Sequence, residues 1–287
     1  MRSILLFLLI SIIVISCKTV EFETNPSELN QILEDFHNPS SQKVLIAAHR
    51  ASNKKYPENS LAAIKYSIEM GVDIVEIDIR TTKDGKLVLM HDGTLKRTTN
   101  GEGNVKDFTY DELAKLELDS EWGDTITYKI PLAEEALKLA KGKIMIDLDI
   151  KDVYIKPLVN LVHKTNTEKQ VLFFDGSFEI LDSVLILDST LMVMPRAHSL
   201  DDVKEIIERY HPPVIHIDPD FYTDEVVSTI KEGGARIWIN ALVFPDIKAW
   251  VGFVKWGYSP VIEKGANIIQ SDLPVKLHKF LKEKNLR

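Results

Sequence analysis

One cysteine, Cys17, in 287 residues excludes any disulfide within the chain. Positive charge is also scarce: 35 Lys and Arg stand against 43 Asp and Glu, a formal net charge of -8. That balance excludes a sequence-independent grip on nucleic acid. It leaves anionic small molecules open, because a metal ion and a few basic residues set the field locally. Long apolar runs are missing too. The longest, residues 4–15, is too short to cross a bilayer comfortably as a helix. No internal repeat is visible beyond a strand–helix rhythm, and no domain boundary follows residue 43.

The apolar run follows a single basic residue, Arg2, and ends in Val14-Ile15-Ser16-Cys17. A short apolar stretch behind a basic start reads as a secretory signal. Its end resembles a bacterial lipoprotein cleavage box, in which the cysteine becomes the lipid-bearing first residue. A plain signal peptide and an uncleaved anchor are the alternatives. The expected layout is a signal over residues 1–16, a tether over 17–42 with one short helix at 27–36, and a catalytic domain over 43–287. The expected location is the bacterial cell envelope, on a membrane through a lipid on Cys17.

From residue 43 onward, short apolar strands are predicted at 44–49, 72–80, 87–91, 143–150, 170–174, 191–195, 214–218, 236–240 and 267–270. Helix-length segments such as 59–70, 132–141, 200–210 and 224–233 lie between them. This alternation argues for an α/β fold with a parallel sheet. The gap between Arg80 and Leu87 is too short for a parallel crossover, which needs roughly a dozen residues. It holds Asp84-Gly85, a two-residue hairpin signal. Strand 87–91 is therefore the return arm of a hairpin, and the remaining strands close a (β/α)₈ TIM barrel. A doubly wound open sheet is the alternative. Residues 93–128 are too long for a plain loop and are expected to form a small lid or subdomain over the barrel mouth, before a helix starting at Pro131.

Strand parity places the chemistry. Val75, Ile77 and Ile79 share one face of their strand, and Glu76, Asp78 and Arg80 share the other. The next barrel strand repeats this, with Ile144, Ile146, Leu148 and Ile150 opposite Asp147, Asp149 and Lys151. Carboxylates crowded inside a barrel call for a cation. Glu76, Asp78 and Asp149 offer only oxygen, which suits Mg²⁺ or Ca²⁺. If Asp84-Gly85 is the whole turn, Lys83 faces Lys86, and counting outward Asp78 faces His91, about 4.5–5.5 Å apart at Cβ. A bulge would shift that pairing by one residue. His49 ends the first strand and joins the same mouth. Trp238 and Asn240 face inward, Trp238 either walling a substrate pocket or packing the barrel. His216 and Asp218 face inward as well, with no role assigned. Glu58 and Asn59 are expected to shape the first loop and cap its helix, and Arg97, Thr98 and Thr99 to order the insertion.

His49-Arg50, Pro57-Glu58-Asn59-Ser60, Glu76-Ile77-Asp78, Thr82-Lys83-Asp84-Gly85 and His91-Asp92 follow one another along the chain. Arg97-Thr98-Thr99, Asp149-Ile150-Lys151, Trp238-Ile239-Asn240 and Ser271-Asp272-Leu273-Pro274 continue the series. In order and spacing the series resembles the glycerophosphodiester phosphodiesterase family. The resemblance implies hydrolysis of small glycerophosphodiesters to glycerol 3-phosphate and an alcohol. His49 and His91 would be acid and base, Glu76, Asp78 and Asp149 the ligands of one divalent cation, and Arg50 and Lys151 phosphate-binding groups. Lysophospholipid or inositol diesters on the same site, and a non-catalytic binding lipoprotein, are the alternatives. Two residues depart from the family pattern. Ala51 stands where glycine is usual, and alanine resists a positive φ, so the turn is expected to differ. Asp149 stands where glutamate is usual.

Overall fold

The computed structural model describes residues 27–51, 54–120 and 126–287. The predicted signal and Cys17 lie outside them. Nine strands are present among the described residues: β1 (Leu45–Ala48), β2 (Ile74–Thr81), β3 (Leu87–Leu89), β4 (Met145–Asp152), β5 (Val171–Asp175), β6 (Met192–Ala197), β7 (Val214–Ile217), β8 (Arg236–Asn240) and β9 (Ile268–Ser271). Every predicted strand is found. β1 pairs in parallel with both β9 and β2, so the sheet closes on itself and the open doubly wound alternative falls. The closed ring is an eight-stranded parallel barrel, with β3 antiparallel on the edge of β2 as the hairpin arm.

The barrel has two apolar layers, one outside the sheet and one inside it. Val75, Ile77, Ile79, Ile144, Ile146 and Leu148 pack outward under the surrounding helices. Leu45, Ile74, Met145, Val214 and Ile268, near the starts of their strands, fill the interior at its N-terminal end. That end is plugged by the helix Ser27–His37, whose Leu29 and Phe36 join the interior cluster. Burying an apolar side chain of that size is worth about 1.5–3 kcal/mol. The short helix expected at 27–36 is found, and it forms the floor of the barrel. Apolar spacing in that segment carried the signal, through Leu29, Ile32, Leu33 and Phe36. The fully buried Arg236 bolts this floor in place. Its guanidinium donates to the carbonyls of Asp35 (2.6 Å), Asn38 (3.1 Å), Lys43 (2.7 Å) and Asn267 (2.8 Å).

The hairpin departs from the expected register by one residue. Ile79 pairs with Leu89, Arg80 with Val88 and Thr81 with Leu87. The reason is a longer turn: Thr82 N–H donates to Lys86 O (2.9 Å) and Gly85 N–H to Thr82 O (3.0 Å). Asp84 also accepts from the Thr82 hydroxyl (2.6 Å) and from Tyr110 N–H (2.9 Å), so the turn is held by the insertion. Asp78 therefore lies opposite Met90, whose N–H it accepts (3.0 Å), and not His91.

Residues after β3 form a compact cap with its own small core of Met90, Leu95, Val105, Leu113, Leu118 and Ile130. The helix after it starts at Ala133 with Leu132 as its cap, two residues later than expected. Pro131 lies before it, and its carbonyl accepts from Leu89 N–H (3.0 Å).

Candidate active site

β2 and β4 run side by side, with Glu76 in register with Asp147 and Asp78 with Asp149. Four carboxylates therefore face inward from two neighbouring strands. One ligand oxygen from each of Glu76, Asp78 and Asp149 falls within a group 4.8 Å across. Burial raises the Glu76 carboxyl well above its ordinary range, and repulsion from Asp78, Asp149 and Asp147 adds to it. Asp149 is likewise raised by burial, against the pull of Lys151. Asp147, one layer deeper, is buried and raised for the same reason.

Each acid is aimed by the surrounding scaffold. Glu76 Oε2 accepts from Arg50 N–H (2.6 Å) and the Gln270 amide (3.3 Å), while buried Oε1 has no hydrogen-bond partner. Asp78 is held from both ends by Asn59, whose amide donates to Oδ2 (2.7 Å) and whose oxygen accepts Asp78 N–H (3.0 Å). The cap of the helix that follows is Ser60, not Asn59: its hydroxyl accepts Ala63 N–H (3.1 Å). Lys151 lies 2.6 Å from Asp149 and 3.2 Å from Asp78. An all-oxygen donor set, charge repulsion and an unpaired buried oxygen fit a hard divalent cation.

Two histidines flank the acids, and each is gripped by a carboxylate. His49 Nδ1 is 2.9 Å from Asp272, and His91 Nδ1 is 2.6 Å from Asp92. With Nδ1 engaged, Nε2 is the nitrogen left to exchange a proton. Asp272 is itself fixed, its N–H donating to Asp246 (2.7 Å), which also accepts from Ser271 and Tyr258. Asp92 is fixed by Arg97 (2.6 Å), whose hydrogen bonds hold the carboxyl far below its usual range. Arg97 also grips Glu58 (2.7 Å), and Glu58 grips Arg50 (3.1 Å). Arg97 therefore ties the insertion to the first loop as well as ordering its own segment. His91 lies within electrostatic reach of Asp149 and draws that carboxyl slightly downward against its burial. The expected neighbour was Asp78. Arg80 sets the position, its guanidinium donating to the His91 carbonyl (3.0 and 2.7 Å).

Trp238 is fully buried in the barrel interior and walls no substrate pocket. Its indole N–H donates to Gln270 (3.0 Å), so it supports the amide that touches Glu76. His216 is buried against Phe174 and Trp238, and burial holds its pKa down to about 3. Asp218 pairs with Arg196 and His198 on the far side of the mouth. Ala51 does adopt the left-handed region, at φ 51°, next to Arg50 at φ 52°. The turn holds this conformation without a glycine, with Arg50 N–H pinned to Glu76 and Arg50 O accepting Asn59 N–H (2.8 Å).

Residues 49–191 match the Glycerophosphoryl diester phosphodiesterase family. A glycerophosphodiester phosphodiesterase of Bacillus altitudinis is 33% identical over 200 residues, covering 64% of this chain and 80% of that protein. The chain belongs to this family. A second glycerophosphodiester phosphodiesterase, from Caldanaerobacter subterraneus, is 38% identical over 138 residues, and the match spans 45% of this chain and 57% of that relative's length. Among solved structures, a glycerophosphoryl diester phosphodiesterase of Parabacteroides distasonis superposes with a TM-score of 0.79 at 28% identity, covering 89% of this chain and 92% of that one. The family match begins at His49 and includes His91, the three acids and Lys151, while Asp272 comes from the last strand end, beyond it.

Proposed function

We propose that this chain hydrolyses glycerophosphodiesters to glycerol 3-phosphate and an alcohol, using His49 and His91 as a proton-exchanging pair. The observation that carries this reading is the convergence of two carboxylate-gripped histidines on one under-satisfied acid cluster. Glu76, Asp78 and Asp149 would hold one divalent cation, Mg²⁺ or Ca²⁺, which when bound supplies positive charge to the phosphate oxygens. Arg50 and Lys151 add fixed positive charge beside the acids, where the non-bridging oxygens gain charge in the transition state. One histidine Nε2 takes the proton of the nucleophile, either water or the neighbouring glycerol hydroxyl. The other gives a proton to the leaving alcohol, which departs poorly as an alkoxide near neutral pH. Asp272 and Asp92 keep each ring turned and stabilise it when it is charged.

The test is release of glycerol 3-phosphate by the purified chain lacking residues 1–17. The substrates are glycerophosphocholine, glycerophosphoethanolamine, glycerophosphoglycerol and glycerophosphoinositol, each with Mg²⁺, Ca²⁺ or chelator. Chelator-sensitive release from any of them supports the reading. A folded, metal-loaded protein that releases nothing refutes it. The completeness of the site speaks against a non-catalytic binding lipoprotein. The further proposal of an exported protein anchored through Cys17 rests on the sequence alone. Fatty-acid labelling that survives Cys17→Ala unchanged would refute it.

A further inference from the structure

Large apolar side chains are exposed at few places among the described residues, and most of them are in one segment. Phe244 (73%), Ile247 (53%), Trp250 (69%), Val251 (58%), Phe253 (60%) and Trp256 (72%) stand out into solvent from two successive helices, Phe244–Trp250 and Val254–Glu263, and the short link between them. A contiguous apolar surface of this kind marks an interaction site.

This surface is rigidly built. Gly257 lets the second helix approach the first so closely that a Cβ there would fall 2.4 Å from Pro245 O. Buried Asp246 ties the first helix down through Tyr258 (2.7 Å), Ser271 (2.7 Å) and Asp272 N–H (2.7 Å). Lys276 caps its end, donating to Ala249 and Trp250 carbonyls (3.2 Å). The segment follows the C-terminal end of β8, and Asp272 is the residue that grips His49. The apolar surface therefore borders the mouth of the active site.

Its charge is opposite to that of the chain. Around the apolar residues, 243–256, the exposed charges are Lys248 and Lys255, Asp246 being buried; Glu263 is exposed only at the far end of the second helix, next to exposed Lys264, whereas the whole chain carries -8. Exposed Trp and Phe beside Lys, on short helices, are the composition of a surface that lies in the headgroup layer of a bilayer. No helix among the described residues is long and apolar enough to cross a membrane, so such contact would be peripheral. We propose that the surface built by Phe244, Ile247, Trp250, Val251, Phe253 and Trp256 docks the mouth of the barrel on a lipid bilayer. The cationic rim of Lys248 and Lys255 favours anionic headgroups.

Residues 1–17 lie outside the described residues, so the chain lacking them keeps every described contact and isolates this surface from any N-terminal anchor. It is floated with vesicles of phosphatidylcholine containing phosphatidylglycerol as the minor lipid. The account expects the protein to float, and the partition to fall at least about ten-fold in Trp250→Ser/Phe253→Ser/Trp256→Ser. A smaller loss is expected in Lys248→Glu/Lys255→Glu. Turnover of soluble glycerophosphocholine should be unchanged in both variants, and it reads the phosphodiesterase proposal separately. Absence of flotation, or equal flotation of the serine variant, overturns the docking proposal. So does a wild-type dimer, seen by sedimentation without vesicle binding, that the serine variant dissociates.

Discussion

Buried charges at the two ends of one barrel are treated in opposite ways. At the floor, Arg236 is fully buried, yet its guanidinium donates to four backbone carbonyls. At the mouth, Glu76 and Asp78 are equally buried, but they stand against each other and against Asp149, with Glu76 Oε1 unpartnered. A buried charge kept for stability is surrounded by acceptors, here on every terminal nitrogen of the guanidinium with only Nε–H left over. A buried charge kept for function is left short of partners, and the shortfall is the opening for a ligand. The difference assigns the floor to folding and the mouth to chemistry.

The contrast yields predictions of decreasing size. Glu76→Gln removes one of the crowded charges. We expect kcat for glycerophosphocholine to fall about 10³-fold or more, the loss of several kcal/mol of transition-state stabilisation. Without metal, the same variant should melt at a higher temperature than wild type, because a buried repulsion is relieved; scanning fluorimetry in chelator checks this. His49→Ala and His91→Ala should each lower kcat by at least about 10²-fold, with near-normal melting. Normal turnover in both would remove the two-histidine mechanism.

Arg236→Met should do the reverse. It strands four carbonyls at the floor, and urea titration should show a loss of about 3 kcal/mol with kcat per folded molecule hardly changed. Ala51→Gly should have the smallest effect. Release from the left-handed region gains about 1–2 kcal/mol, while loss of a fully buried methyl group costs about 0.8 kcal/mol and glycine adds unfolded-state entropy. The net change in urea should stay under about 1 kcal/mol.

Much of this was legible in the sequence. Strand parity put Glu76, Asp78 and Asp149 inside and their isoleucine neighbours outside, because an alternating pattern has one way to bury its apolar face. The Asp84-Gly85 turn gave the hairpin, but not its register. Asp84 caps both Thr82 and Tyr110, and that contact with the insertion lengthens the turn by one residue. The floor helix was read as a helix but not as part of the barrel, because its partner, Arg236, lies about 200 residues away, and pairing at that distance leaves no local mark. Asp272 and Asp92 were visible as motif members, but their grip on the histidines depends on where strand ends meet in space. Trp238 shows the limit of parity: it places a side chain inside the barrel without saying whether it reaches the open mouth or the packed layer below. The apolar surface at residues 243–256 was missed because an apolar stretch between two strands reads as a buried crossover helix.

The most direct test of the central claim is thermal melting of the chain lacking residues 1–17, with added Mg²⁺ or Ca²⁺ and then with chelator, for wild type and Glu76→Gln. The account predicts that a cation raises the wild-type melting temperature, that chelator reverses the rise, and that Glu76→Gln responds to neither. A wild-type melting temperature indifferent to both cations would contradict it.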